Sequence, residues 1–385
     1  MNSLTIRRPA ADGEADGRFR RGVAKAASVH GLLLILIALI VMFSLLRPET
    51  FPTELTFRGL LDSNGVVVLL ALGVMIPLAT NQFDLSLGYV VALTNSLAIG
   101  FQIKSGMSWE VAAVLILCIG IVIGVINGLL VAYAQIDSFI ATLGSGTVLF
   151  GIANWYTHGA QISGPLSTSF ESLRGLWFGV PRLAYFVLAV AIVLWLMFEY
   201  LPSGRFFYAV GSNRRAAELS GIDVRRRIVI AFALSALIAS AAGILIASQL
   251  GVGQAGTGPD YLLPVFAAAL LGSTSVRPGR VNVWGTVIAA LVLAVAVVGM
   301  QQLGAAFYVS YLFNGGILVI AVGASGWVGR RRSSARRSEA LRHATADDAP
   351  AENGSVPALA PDAVSATVSG PAAASGADPE SEERT

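Results

Sequence analysis

Between Gly31 and Val328 one stretch of about twenty apolar residues follows another, and only 24 of the chain's 49 Lys, Arg, Asp and Glu residues fall among those 298 positions. A middle so poor in charge cannot present a surface compatible with water. One helical crossing of a hydrocarbon core takes about 20 apolar residues, and the chain offers that length repeatedly. A membrane β-barrel needs short segments of alternating polarity, whereas Val111 to Ala134 and Ile228 to Ser248 are almost continuously apolar. The expected fold is therefore an all-α polytopic membrane protein.

Ten apolar segments can be drawn, at about 31–46, 64–80, 84–101, 111–134, 139–157, 183–201, 228–249, 261–273, 284–302 and 309–328. With the N-terminus in the cytoplasm, ten crossings place 21 Lys and Arg residues on the cytoplasmic side and five (Arg47, Arg58, Lys104, Arg174 and Arg182) on the other. That split obeys the positive-inside bias and predicts both termini in the cytoplasm. Dropping one segment would put the basic stretch 202–227 and the basic C-terminal tail on opposite faces. Residues 1–30 read as a cytoplasmic tail, and 31–46 as a retained first span, since no small-residue cleavage site follows. Residues 329–385 open on Arg330, Arg331, Arg332, Arg336 and Arg337 and then turn to Ala, Pro, Ser and acid without an aromatic residue. They read as a disordered cytoplasmic tail whose basic cluster either holds the last span in orientation or attracts anionic lipid.

Two segments are expected to be short and interrupted. Val66 to Leu78 contains Pro77 and runs into Thr80, Asn81, Gln82 and Asp84; Tyr261 to Gly272 contains Pro264 and runs into Ser273 and Thr274. Broken helices in the two halves of a transporter expose backbone dipoles along a polar path, although each proline can equally be a kink in a packed helix. Asp84, followed by Ser86, is an acid held between apolar segments, where an ionised carboxylate costs about 2.5–3.5 kcal/mol on insertion scales. It can cap the next helix, line a solute path or exchange a coupling proton or cation. The last role would make the chain an ion-coupled secondary carrier.

The stretch from Leu201 to Ile228 reads as the only sizeable polar insertion between spans. In it, Ser212 or Asn213 can cap a short helix running through Arg214, Ala216, Ala217 and Glu218, and Gly221 can end it. Such a helix either offers Ala216, Ala217 and Leu219 to another protein or is a connector lying on the membrane, anchored by Arg225, Arg226 and Arg227. Gly120, Gly124 and Gly128, and likewise Ser235, Ala239 and Gly243, repeat at helical spacing and predict close packing seams, with Asn127 an interhelical hydrogen bonder. Cys118 is the only cysteine and reads as packing like a small hydrophobe; His30, His158 and His343 are scattered, so no metal site is drawn. No phosphate loop, nucleophile elbow or zinc-protease motif occurs, so no catalytic set is visible. The net charge of +3 is spread over helix flanks and does not suggest nucleic acid.

Three groups of residues carry a family resemblance: Asp84-Leu85-Ser86-Leu87-Gly88; Ser138-Phe139-Ile140-Ala141-Thr142-Leu143-Gly144; and Gly204-Arg205 with Tyr208 through Asn213, Ala216-Ala217 and Gly221-Ile222. In this order and spacing the chain resembles, over about residues 30–325, the ribose/xylose/galactose-type permeases of bacterial ABC importers. The resemblance implies a multi-pass permease subunit of the bacterial inner membrane, with residues 31–328 as its transmembrane domain. It further implies a coupling helix within 204–222 that docks on a separate ATPase subunit, where ATP is hydrolysed, so that this chain carries no cofactor of its own. A second permease copy, identical or paralogous, and a periplasmic-type or lipid-anchored sugar-binding protein would complete the assembly. The chain departs from the usual paired glycines at Gly211-Ser212 and Gly272-Ser273, and its later turn reads Arg277-Pro278-Gly279-Arg280. A nearby branch of such permeases handles branched-chain amino acids.

Overall fold

Where the sequence places apolar runs, the chain coils into helices that satisfy their own backbone hydrogen bonds, as lipid requires. The computed structural model describes residues 30–277, 279–321 and 323. The tails expected at 1–30 and 329–385 lie outside the described residues, His30 excepted. In chain order the helices are α1 (His30–Leu46), α2 (Glu54–Ala79), α3 (Leu87–Ile103), α4 (Trp109–Ala132), α5 (Ser138–Thr157), α6 (Thr168–Glu171), α7 (Arg182–Glu199), α8 (Pro202–Ser212), α9 (Arg214–Leu219), α10 (Val224–Leu250), α11 (Leu262–Gly272), α12 (Val283–Gln302) and α13 (Tyr308–Ala321). Each of the ten apolar segments falls on one of these helices, the last as far as the described residues reach, and α2, α4, α7, α10 and α12 are long and apolar enough to cross a membrane.

The helices sort into an inner and an outer set. Of the most apolar stretch of α2, 72% is buried, against 28% for α7. Nearly every residue of α2 from Val66 to Pro77 and of α3 from Leu87 to Gly100 is enclosed by other helices, while α4, α5 and α7 turn Val114, Val122, Ile140, Val148 and Val193 outward. A helix apolar all round is at home between protein neighbours or against lipid. Cys118, expected to pack as a small hydrophobe, lies exposed on the outward face of α4.

The core seam lies between α4 and α10. A methyl group at Gly124 would sit 2.5 Å from the Phe232 carbonyl oxygen and 2.6 Å from the Ala233 Cα, and one at Gly128 would sit 2.6 Å from the Val229 Cα. The glycines thus let two backbones touch, as their spacing predicts. The second stripe serves a different neighbour: Gly243 of α10 lies against Thr94 of α3. Carrying small residues on both faces, α10 is packed on both sides, with α4 on one and α3 and α2 on the other.

Two expectations are corrected. The segment containing Pro77 is neither short nor interrupted: α2 begins at Glu54, with Thr53 as its cap, and runs unbroken to Ala79. Pro77 stands in its final turn, where its carbonyl accepts from the Thr80 amide (2.9 Å), the Thr80 hydroxyl (2.8 Å) and the Gln82 amide (3.0 Å), so it helps end the helix. Secondly, 201–228 is not the single polar insertion. Residues 158–181 also lie between two long helices and fold into α6, a 3₁₀ turn at Ser172–Arg174 and a two-stranded hairpin of β1 (Leu176–Trp177) and β2 (Val180–Pro181). Its strands are too short and too mixed in composition to stand out from the sequence.

Candidate functional site

Between α2 and α3 the chain runs from Thr80 to Ser86 without regular structure, turning at Asn81 (φ 59°). Its buried backbone groups must find partners elsewhere. The Phe83 amide donates to the Ser138 hydroxyl (3.1 Å) and the Leu85 amide to the Thr142 hydroxyl (3.0 Å), both on the first turns of α5. Two of the strings that carry the family resemblance are thus in contact, one serving as the hydrogen-bond template for the other.

Asp84 is 1% exposed. One carboxylate oxygen, Oδ1, accepts from the Ser86 amide (3.2 Å) and the Ser86 hydroxyl (2.6 Å); the other, Oδ2, accepts from the Ser235 hydroxyl of α10 (2.8 Å). Ser86 in turn accepts from the Asn127 amide of α4 (2.8 Å). The residue at the N-cap of α3 is Ser86, without a side-chain cap bond, so Asp84 does not cap the helix by itself. It braces Ser86 and ties the entrance of α3 to α4 and α10. Asn127 fulfils its expected role as an interhelical bonder. Ser235 was legible only as a small residue of the α10 stripe, because a serine that bonds an acid 151 positions away leaves no local trace.

The other residues expected along a path do not converge on Asp84. Asn81 is exposed at the turn. Ser273 ends α11, its hydroxyl donating to the Leu270 carbonyl (2.6 Å). Pro264 occupies the third position of α11, where a missing N–H breaks no helical hydrogen bond. It opens a short helix and interrupts nothing. Pro264 and Ser273 therefore stand at opposite ends of α11.

The insertion between α7 and α10 holds the expected short helix. Asn213 caps α9, its side-chain oxygen accepting from the Ala216 amide (3.0 Å), and Gly221 (φ 79°) follows its end in the left-handed conformation that glycine adopts at low cost. Arg214 and Glu218 pair along one face at 3.3 Å. Ala216 and Leu219 are exposed, Leu219 by 84%. Ala217 is not available to another protein: it is buried in a cluster with Val210, Val224 and Ile228. In a helix of six residues only one face can be free, and the Val210–Ile228 cluster claims the Ala217 side.

α8 ties this helix to the rest. A methyl group at Gly211 would collide with the Ala79 carbonyl at the end of α2. The Tyr208 hydroxyl donates to the Val281 carbonyl in the turn between α11 and α12 (2.7 Å), with the Arg280 guanidinium 5.6 Å from the ring centre. Burial raises the pKa of Tyr208 and keeps it a donor. Arg277 of the same turn pairs with Glu199 at the end of α7. Two of the arginines at the start of α10 lie over rings of their own chain: Arg227 is 4.5 Å from the Phe206 ring centre and Arg225 5.5 Å from that of Tyr133.

A family model described as "Branched-chain amino acid transport system / permease component" matches residues 56–322. The ribose import permease protein of Escherichia coli K12 is 33% identical over 301 residues, covering 75% of this chain and 91% of that protein. The ribose import permease protein of Bacillus subtilis 168 is 35% identical over 295 residues, covering 76% and 91%. The galactose/methyl galactoside import permease protein of Salmonella typhimurium LT2 is 29% identical over 317 residues, covering 77% and 93%. No solved structure matches the chain. With a model matched over most of its length and relatives of this identity covered almost end to end, the chain belongs to the branched-chain amino acid transport system / permease component family.

Proposed function

We infer that this chain is the membrane-spanning permease subunit of a bacterial ABC importer, moving a monosaccharide or a sugar-like solute through the inner membrane. The observation that carries this is its kinship with ribose and galactose import permeases along nine-tenths of their length. Those relatives favour a sugar over a branched-chain amino acid. The ion-coupled alternative gains nothing from Asp84, whose carboxylate is taken up by donors of its own chain.

On this reading the ten apolar helices cross the membrane ten times with both termini in the cytoplasm, supported by the 21 to 5 distribution of Lys and Arg. α9 docks on an ATPase subunit that hydrolyses ATP. A second permease copy completes the path, and a sugar-binding protein delivers the solute from outside. Closure of the ATPase subunits pushes on α8 and α9, which bias the helices between two states.

The test is recovery of copurifying chains with the full-length protein from detergent extracts of crosslinked cells. An ATPase subunit is expected with wild type and lost with Ala216→Asp, Leu219→Asp, which charges the exposed face of α9 and spares buried Ala217. Uptake of D-ribose, D-allose and D-galactose is measured in the same cells. Failure to recover any nucleotide-binding chain, together with uptake of none of these sugars, would overturn the reading.

A further inference from the structure

A cavity of about 330 Å³, within the size range of small-molecule sites, opens where the start of α11, the end of α12 and the start of α13 meet. Its wall mixes two chemistries. Phe307 and Tyr311, four positions apart, present aromatic rings; Ser310 and Asn314, also four apart, present a hydroxyl and an amide, joined by Gln301 and by Asp260 beside Pro264. Gln301 donates to Ser310 (3.3 Å). Among the described residues the Asn314 Oδ1 atom, itself buried, has no hydrogen-bond partner and Asp260 has no ion pair. A hydroxyl-rich guest would meet the Asp260 carboxylate, the Ser310 hydroxyl and the Gln301 and Asn314 side chains along this wall.

This lining is specific in kind. An acyl chain would want an apolar wall, such as that of the cavity around Leu60, Val68, Val187 and Leu291, and a phosphate headgroup would want cations, whereas this cavity has an acid and no cation in its wall. Aromatic faces beside amide, hydroxyl and carboxylate groups suit a ring whose C–H faces are apolar and whose rim carries hydroxyls. Its location adds to the argument. α11 and α12 lead from this cavity to the turn that Tyr208 holds beside α8, so it stands at the far end of the α11–α12 pair from α9.

The geometry points to this cavity as a monosaccharide contact site on the face opposite the coupling helix, with Asn314 and Asp260 bonding the sugar's hydroxyls and Phe307 and Tyr311 covering a ring face. This inference rests on the sugar-permease reading and adds where the solute first meets the chain. The sequence marked Pro264 in its wall but none of the polar and aromatic groups that would touch the sugar.

The test uses the full chain in cells with its partners, carrying Cys118→Ser and Asn314→Cys so that one thiol remains. A membrane-impermeant maleimide is applied from outside, with and without millimolar D-ribose or D-galactose. Labelling is expected, slowed about five-fold by whichever sugar wild type imports. Asn314→Leu is expected to raise the KM of uptake about ten-fold while ATPase copurification is unchanged. No labelling, labelling indifferent to an imported sugar, or protection by a short-chain phospholipid instead would overturn the site and leave the permease reading standing. Uptake of no sugar by wild type would overturn the site, and with no ATPase copurifying either it would bring down the permease reading as well.

Discussion

Ser235 and Ser96 are both buried hydroxyls on inner helices, yet they carry different burdens. The hydroxyl of Ser96 returns to the Ala92 carbonyl one turn back (2.8 Å), a carbonyl already bonded within its own helix, so its loss leaves nothing unsatisfied. Ser235 instead supplies the only donor to one oxygen of Asp84 among the described residues. Replacing it strands part of a buried carboxylate, a defect worth about 1–3 kcal/mol. Ser235→Ala is therefore expected to lower the unfolding temperature of the purified protein clearly, whereas Ser96→Ala changes stability by less than about 0.5 kcal/mol. Equal effects of the two in a thermal melt would show that Asp84 is not braced through α10. Because Asp84 serves architecture in this account, Asp84→Asn should weaken folding without altering how uptake responds to a collapsed proton gradient.

At the scale of elements, α8 is the piece whose meaning comes from its neighbours. Its hydroxyl at Tyr208 reaches the α11–α12 turn, and Gly211 lets its backbone lie on the end of α2. A push on α9 thus has two contacts through which to reach the inner helices. Tyr208→Phe removes one hydrogen bond and keeps the ring under Arg280. The expected result is intact ATPase copurification with several-fold fewer sugars imported per ATP hydrolysed in reconstituted vesicles; an unchanged ratio would mean that the bond transmits nothing. The helices themselves, the α4–α10 glycine seam and the capped α9 were legible in the sequence because apolar length, four-residue spacing and capping residues are local patterns. Legibility failed where the information is long-range. Nothing near Ala217 says that Val210 and Ile228 cover it, nothing near Asp84 names Ser235, and Pro77 looks like an interruption until its place in the last turn of α2 is seen. The aromatic and polar rows at the entrance of α13 were passed over because an apolar segment with a few polar positions reads simply as a span.

For the whole molecule, the decisive quantity is whether the number of crossings is even. Five helices meet the length and hydropathy of a span outright; the rest are shorter or more polar, and α11 has 11 residues, about 16 Å along its axis. Alone it cannot cross a core about 30 Å thick. Yet the turn after it meets Tyr208, and the cavity at its start meets the end of α12 and the start of α13, so on the ten-crossing reading α11 with its flanking turns links the two faces of the bundle. If α11 did not count as a crossing, α12 and α13 would reverse, and the basic residues from Arg330 onward would face away from Arg225, Arg226 and Arg227, against the positive-inside bias. Fusions of a fluorescent protein that matures only in the cytoplasm, placed after residue 385 and after residue 215, are expected to be fluorescent alike, and a cysteine placed at Phe178 in the hairpin should react with an impermeant maleimide from outside. A dark fusion after residue 385 beside a bright one after residue 215 would mean an odd number of crossings between them and would overturn the ten-crossing reading.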